Sequence, residues 1–253
     1  MLGKHSTLFW ALVRRHLASR YRGSLFGFLW TIFNPLMLMA TYWLVFRYYI
    51  RFNTVDNYTV FLMAGLLPWI WTTSALVEGT AAIVSSGHLI TKSLFPSYIL
   101  PLVSVTTTGI HFLLSLPILL SLMIVTGTPF HTTLLGLFIL LPLHAAFLVG
   151  ATLILAILNV RFRDVQHLLG NLLTFLFFLC PIVYPISAVP ERFRWTMDFN
   201  PLAALISSYS HLIYEGVWPS FNAIIVSSGS AAVVCLIAKM LYESQKERLA
   251  EHL

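Results

Sequence analysis

The sequence predicts an all-α polytopic membrane protein. Six transmembrane helices are expected, with an N-terminal amphipathic interface helix and an external re-entrant or gate hairpin between helices 5 and 6. Three observations carry the prediction. Only 9% of the 253 residues are charged and 58% are hydrophobic, whereas a soluble domain is about one quarter charged. Uncharged windows recur at lengths that suit a crossing, which takes about 20 mostly apolar residues as helix because lipid offers no water to the backbone. Lysine and arginine are distributed unevenly between alternate loops, as orientation in a membrane requires.

The first element is a helix over residues 4–22, within an interfacial segment 1–23. Phe9, Trp10, Leu12, Val13, Leu17 and Tyr21 fall on one broad side, and Lys4, Arg14, Arg15, Ser19 and Arg22 fall opposite. A basic amphipathic helix carrying aromatics lies in the membrane interface. Arg20 projects from its apolar side, where the chain must turn into the first span. Its stem can snorkel to the headgroups, or its fork can grip a phosphate; position alone favours anchoring. A cleaved leader is not expected, because this basic segment contains no apolar signal core.

Residues 23–46, 57–77, 165–190 and 216–238 are free of Asp, Glu, Lys and Arg, as is the longer window 93–160. Gly127-Thr128-Pro129 breaks that long window in two. The spans are therefore expected near 25–48, 58–83, 99–126, 132–158, 168–187 and 221–241. With the N-terminus inside, Lys4, Arg14, Arg15, Arg20, Arg22, Lys92, Arg161, Arg163, Lys239, Lys246 and Arg248 are cytoplasmic, and Arg47, Arg51, Arg192 and Arg194 external. Both termini are then cytoplasmic. The whole chain, 1–253, reads as a single transmembrane domain. Spans one to five cover 25–187, an external segment 188–218, span six 219–241 and a cytoplasmic tail 242–253.

Residues 199–214, "FNPLAALISSYSHLIY", are apolar but too short to cross. A re-entrant or interfacial hairpin is expected, the alternative being a loop lying on the headgroups.

Ordered blocks of the sequence resemble a family. "RYRGSLFGFLWTIFNPLMLMATYWLVF" (20–46) is similar to the first-span signature of ABC-2 type transporter permeases that export polysaccharides. "SSGHLITKSLFPSYILPLVSV" (85–105) resembles their cytoplasmic loop between spans two and three. "LNVRFRDVQHLLGNLLTFLFFLCPIVYPISAVP" (158–190) has their Asn-x-x-x-Arg-Asp turn and Pro-Ile-x-Tyr-Pro end, and "FNPLAALISSY" (199–209) resembles their Asn-Pro segment. Exporters of O-antigen and related lipid-linked polysaccharides look closest, with teichoic acid and capsule exporters similar.

The resemblance implies a bacterial inner-membrane subunit that acts as a homodimer with two copies of a nucleotide-binding protein. The chain has no Gly-x-x-x-x-Gly-Lys-Ser/Thr phosphate loop, so ATP and magnesium are expected on that partner and no cofactor on this chain. The loop 84–98, with His88, Leu89, Lys92, Phe95 and Pro96, is the candidate ATPase-coupling element; without the resemblance a plain turn serves equally well. Arg14, Arg15, Arg20 and Arg22 are the candidates for the pyrophosphate of a lipid-linked glycan. Trp30, Tyr42, Trp43, Phe46 and Trp69 are candidates for the sugar path, although Trp and Tyr gather at membrane interfaces in any case. Phe193, Trp195, Phe199 and Tyr209 would form an external gate.

Other classes fit less well. A permease for a small drug or lipid shares the architecture, but this chain is compact and has no large external domain. His111 and His144 lie inside expected spans without the paired ligands or nucleophile motif of an intramembrane enzyme, and such histidines usually bond neighbouring helices. No span carries the series of acids that a proton-coupled carrier uses; Glu78 stands alone near a span end. Cys180 and Cys235 lie in apolar runs and suggest neither a disulfide nor a redox centre.

Overall fold

Turn chemistry and proline divide the chain into nine α-helices among the described residues, which are 5–20, 22–49, 55–87 and 95–246 of the computed structural model. The helices are α1 Ser6–Arg20, α2 Trp30–Trp43, α3 Tyr58–Ser85, α4 Ile99–Thr126 and α5 Leu137–Arg161. They continue with α6 Asp164–Leu179, α7 Glu191–Asp198, α8 Pro201–Ser210 and α9 Phe221–Gln245. The expected break between the third and fourth spans is present: Gly127, at φ 69°, closes α4 in the left-handed region that glycine enters without strain.

Among the described residues, four helical stretches are long and apolar enough to cross a bilayer: Tyr58–Ser85, Ile99–Thr126, Thr132–Arg161 and Phe221–Gln245. The other two expected spans are shorter. An apolar helical stretch runs Trp30–Phe46, and α6 ends at Leu179 after 16 residues, about 24 Å at 1.5 Å per residue against a hydrocarbon core of about 30 Å. The early end of α6 has a local cause. Cys180 precedes Pro181, whose ring disfavours helical geometry at that position, and Cys180 is extended at φ −103°, ψ 142°. At its other end α6 starts at Asp164, before the expected 168, with an acid in the first turn where the helix dipole favours one.

Helix α3 is the centre of the bundle. It is apolar on every side and packs against α2, α4, α5, α6 and α8. Helix α5 lies between α3 and α9. Helix α3 comes close to α5 at Gly79, where an added Cβ would stand 2.7 Å from Cγ2 of Thr152. At the next residue of α3, Asn159 donates to the Thr80 carbonyl at 3.1 Å.

Helix α1 packs sideways on α4. Phe9 and Val13 are buried against Ile99 and Val103, with Leu12 and Leu17 beside them. The expected apolar side is therefore a packing face, except that Trp10 remains 51% exposed at its rim.

At the opposite end of the bundle, α7 is followed by α8, which lies within residues 199–214. Asn200 caps α8 by accepting from the Leu202 amide at 3.1 Å, with Pro201 following it in the first turn. Every residue from Leu202 to Ser210 is buried, against α3, α5 and α9. The segment is thus largely a buried helix. Thr133 fixes its far end by donating to the Leu212 carbonyl at 2.8 Å.

Candidate functional site

The end of α1 meets the interior of α3 through charge. Arg20 NH1 lies 2.8 Å from Glu78 Oε1, and His16 Nε2 lies 3.8 Å from the other carboxylate oxygen. Glu78 sits two turns inside α3, about 10 Å along the axis from its end at Ser85. An acid at such depth is costly unless paired, and α1 brings the partners. The Gly79 and Thr80 contacts with α5 hold the backbone beside Glu78 in place.

Two cavities flank this pair. One, of about 260 Å³, lies between α2, α3 and α4 and is lined by Arg20, Trp30, Asn34, Trp71, Thr108 and His111. The other, of about 430 Å³, lies between α1, α3 and α4 and is lined by Arg15, His16, Ser19, Glu78, Ser85 and Ser104. Arg20 faces the first and Glu78 the second, so the ion pair stands at the boundary between them.

The four candidate arginines are therefore not equivalent. Arg14 and Arg22 are exposed, Arg15 lines the second cavity, and Arg20 is joined to Glu78. Arg20 is expected either to anchor at the headgroups or to grip a phosphate; in the folded chain its guanidinium already has an anion.

The candidate path aromatics divide in the same way. Tyr42 stacks on Phe177 with centroids 5.3 Å apart, and Trp69 reaches the same ring at 5.8 Å. These three line a groove of about 520 Å³ between α2, α3 and α6. Trp43 instead packs edge-on to Tyr48 at 5.1 Å, Phe46 packs on Tyr42, and Trp30 joins Phe26 and Phe33 beside the first cavity. Phe177 was not singled out from the sequence, where it is one of several phenylalanines in an apolar run.

At the other end of the bundle Phe193, Trp195 and Phe199 are exposed, whereas Tyr209 is fully buried. Tyr209 therefore does not share their surface. Its hydroxyl lies 3.3 Å from His144 Nδ1, and His144 Nε2 lies 2.9 Å from the Thr72 hydroxyl. That chain ties α8 to α5 and α3. His111 likewise meets a neighbouring helix, at Thr31. Tyr214 donates to the Asp56 carbonyl, and burial together with the Asp56 and Glu215 carboxylates raises its phenol above the ordinary range, which keeps it a donor.

Of the candidate coupling residues, His88, Leu89 and Lys92 lie outside the described residues. Phe95 packs on a cluster of Ile83, Leu100, Ala156 and Val160, with Tyr242 beside it, and the Pro96 carbonyl accepts from Ile99. These two residues fasten the end of the loop to the helix ends.

Residues 7–214 match the family model described as ABC-2 type transporter. The chain belongs to that family. It is similar to the O-antigen export system permease protein RfbA of Myxococcus xanthus, 38% identical over 95% of this chain and 93% of that protein. A Klebsiella pneumoniae protein of the same name is 31% identical over 99% of this chain and 96% of that protein. The polysialic acid transport protein KpsM of Escherichia coli is 25% identical over 94% of this chain and 93% of that protein. As an ABC-2 type transporter chain with several long apolar helices, the protein is a multi-pass membrane protein.

Proposed function

We propose that the chain is the membrane subunit of an ATP-driven exporter of a lipid-linked, O-antigen-like polysaccharide. In this reading it works as a homodimer in the bacterial inner membrane, with two copies of a separate ATPase and both termini cytoplasmic. The observation that carries the reading is similarity over nearly the whole chain to export permeases named for O-antigen, at 38% and 31% identity. The lower identity to the polysialic acid transport protein, 25%, supports export of another polysaccharide, such as a capsule, only as the second reading.

The geometry supplies a role for each end. Helices α2 and α6, lengthened by the turns that flank them, complete six crossings. The end bearing α1 faces the cytoplasm, where Arg20 meets the diphosphate of the carrier lipid while Arg15 and His16 stay beside Glu78; Arg14 and Arg22 anchor the helix among headgroups. The sugar chain follows the Tyr42, Trp69 and Phe177 groove, since sugars stack on aromatic faces. Phe193, Trp195 and Phe199 close the external end, with Tyr209 anchoring the hairpin from behind. The loop 85–97 seats in the ATPase, with Phe95 and Pro96 transmitting its motion to α3 and α4.

The test is co-purification of the chain with an ABC ATPase from the same organism, together with complementation of a strain lacking the subunit. Recovery of a complex and of surface polysaccharide supports the reading. A chain that binds no ATPase, and whose loss leaves surface polysaccharide unchanged, contradicts it.

A further inference from the structure

Arg20 is the cation best placed for a diphosphate, yet it is already bound to Glu78 at 2.8 Å. Any anion that takes Arg20 must displace that carboxylate. The membrane around α1 is rich in anions of the wrong kind, because anionic phospholipids present phosphodiesters at the same depth. A phosphodiester carries one negative charge, as the carboxylate does. It gains nothing in charge by the exchange and must be immobilised, whereas Glu78 is covalently held. A diphosphate brings more charge and several acceptor oxygens, which suit the forked guanidinium.

We propose that Glu78 is a specificity-determining residue: it reserves Arg20 for diphosphate-bearing lipids by outcompeting phosphodiester headgroups. The inference rests on the reading that Arg20 receives the carrier diphosphate. A built-in competitor discriminates by making the wrong ligand displace it without compensation. Three features of the site suit Glu78 to it. Gly79 and Thr80 are fixed against α5, so the carboxylate does not follow a departing Arg20. His16, 3.8 Å from the other oxygen, and Arg15 in the same cavity stay with Glu78 when Arg20 leaves. Arg20 has somewhere to go, since it already faces the 260 Å³ cavity beside Trp30 and Asn34.

The experiment measures binding of a fluorescent polyprenyl diphosphate, without glycan, to the full-length chain in nanodiscs. One set of discs is made of phosphatidylcholine, and in the other half of the lipid is phosphatidylglycerol. The wild type is expected to bind equally in both. In phosphatidylcholine, Glu78→Gln should bind about two- to fivefold more tightly, the equivalent of releasing one partly exposed ion pair. In phosphatidylglycerol it should lose that gain, because headgroups now occupy Arg20. Glu78→Asp, which keeps the charge but shortens the reach, should fall between and covers the case in which Glu78→Gln does not fold. Equal ratios between the two membranes for the wild type and for whichever variant folds overturn the proposal. Arg20→Gln in phosphatidylcholine separates the two readings. Lost binding there with no lipid dependence at Glu78 overturns only the role of Glu78. Retained wild-type binding removes Arg20 as the diphosphate site, and both readings fall.

Discussion

Replacing Tyr209 by Phe removes a single hydroxyl and leaves the ring where it is. In the structure that hydroxyl lies 3.3 Å from His144 Nδ1, and both side chains are fully buried. The ring contacts persist, at 5.9 Å from Phe112 and 5.8 Å from His144, so no large cavity opens. What is lost is the bond, and an imidazole nitrogen is left without its partner. An orphaned buried polar group costs about 1–3 kcal/mol in a water-soluble protein. Paired polar groups in membrane bundles contribute less, about 0.6 kcal/mol on average and up to about 1.7, because the unfolded chain in lipid also finds partners. The expected loss is therefore about 0.6–1.7 kcal/mol. The assay is reversible unfolding in mixed micelles by stepwise addition of dodecyl sulfate, applied to wild type, Tyr209→Phe, His144→Phe and the double variant. The account predicts a coupling energy in that range. Losses that add within about 0.3–0.5 kcal/mol would show that the two residues act independently, and would refute the bond as the tie between α8 and α5.

Other outcomes follow from the same geometry. Gly79→Ala should cost about 1–3 kcal/mol by overpacking against Thr152; an unchanged thermal midpoint in detergent would contradict the close approach of α3 and α5. Asn200→Ala should cost about 1 kcal/mol through the lost cap of α8, read in the same unfolding titration, with no change as the contrary result. Lysine at both Arg20 and Arg22 keeps the charge and topology but loses the bidentate fork. Export should fall at unchanged protein level, and normal export would leave these residues only an anchoring role. Tyr42→Ala should lower surface polysaccharide while Tyr42→Phe preserves it, because Phe keeps the face that stacks on Phe177; equal loss in both variants would remove stacking as the reason.

The architecture was legible where local chemistry decides it. Uncharged windows located the long helices, and Gly127-Thr128-Pro129 divided the window that holds two of them. Within the short apolar segment 199–214, the helix α8 runs only Pro201–Ser210. Helix ends were less legible, because Pro181 ends α6 at Leu179 well before charge reappears in the sequence. Pairings across the fold were illegible for a plain reason. Glu78 and Arg20 are 58 residues apart, and only the seating of Phe9 and Val13 on α4 sets the register that brings them together. The lone acid inside an apolar helix was the available signal, since such a group needs a partner. Tyr209 could not be distinguished from the exposed aromatics by pattern, because α8 is buried on all sides and has no polar face to orient it. Phe95 was placed in the right loop, but its packing on Ile83 and Leu100 depends on how three helix ends converge.

The central claim is that this chain moves a lipid-linked glycan at the expense of ATP hydrolysed by a partner. The most direct measurement is the ATPase rate of the purified complex in lipid vesicles, with and without a lipid-linked polysaccharide. The account predicts stimulation by the lipid-linked polymer that is absent with the same polysaccharide released from its lipid, and that Arg20→Gln weakens. A rate indifferent to the lipid-linked polymer, in a complex that still hydrolyses ATP, would contradict it.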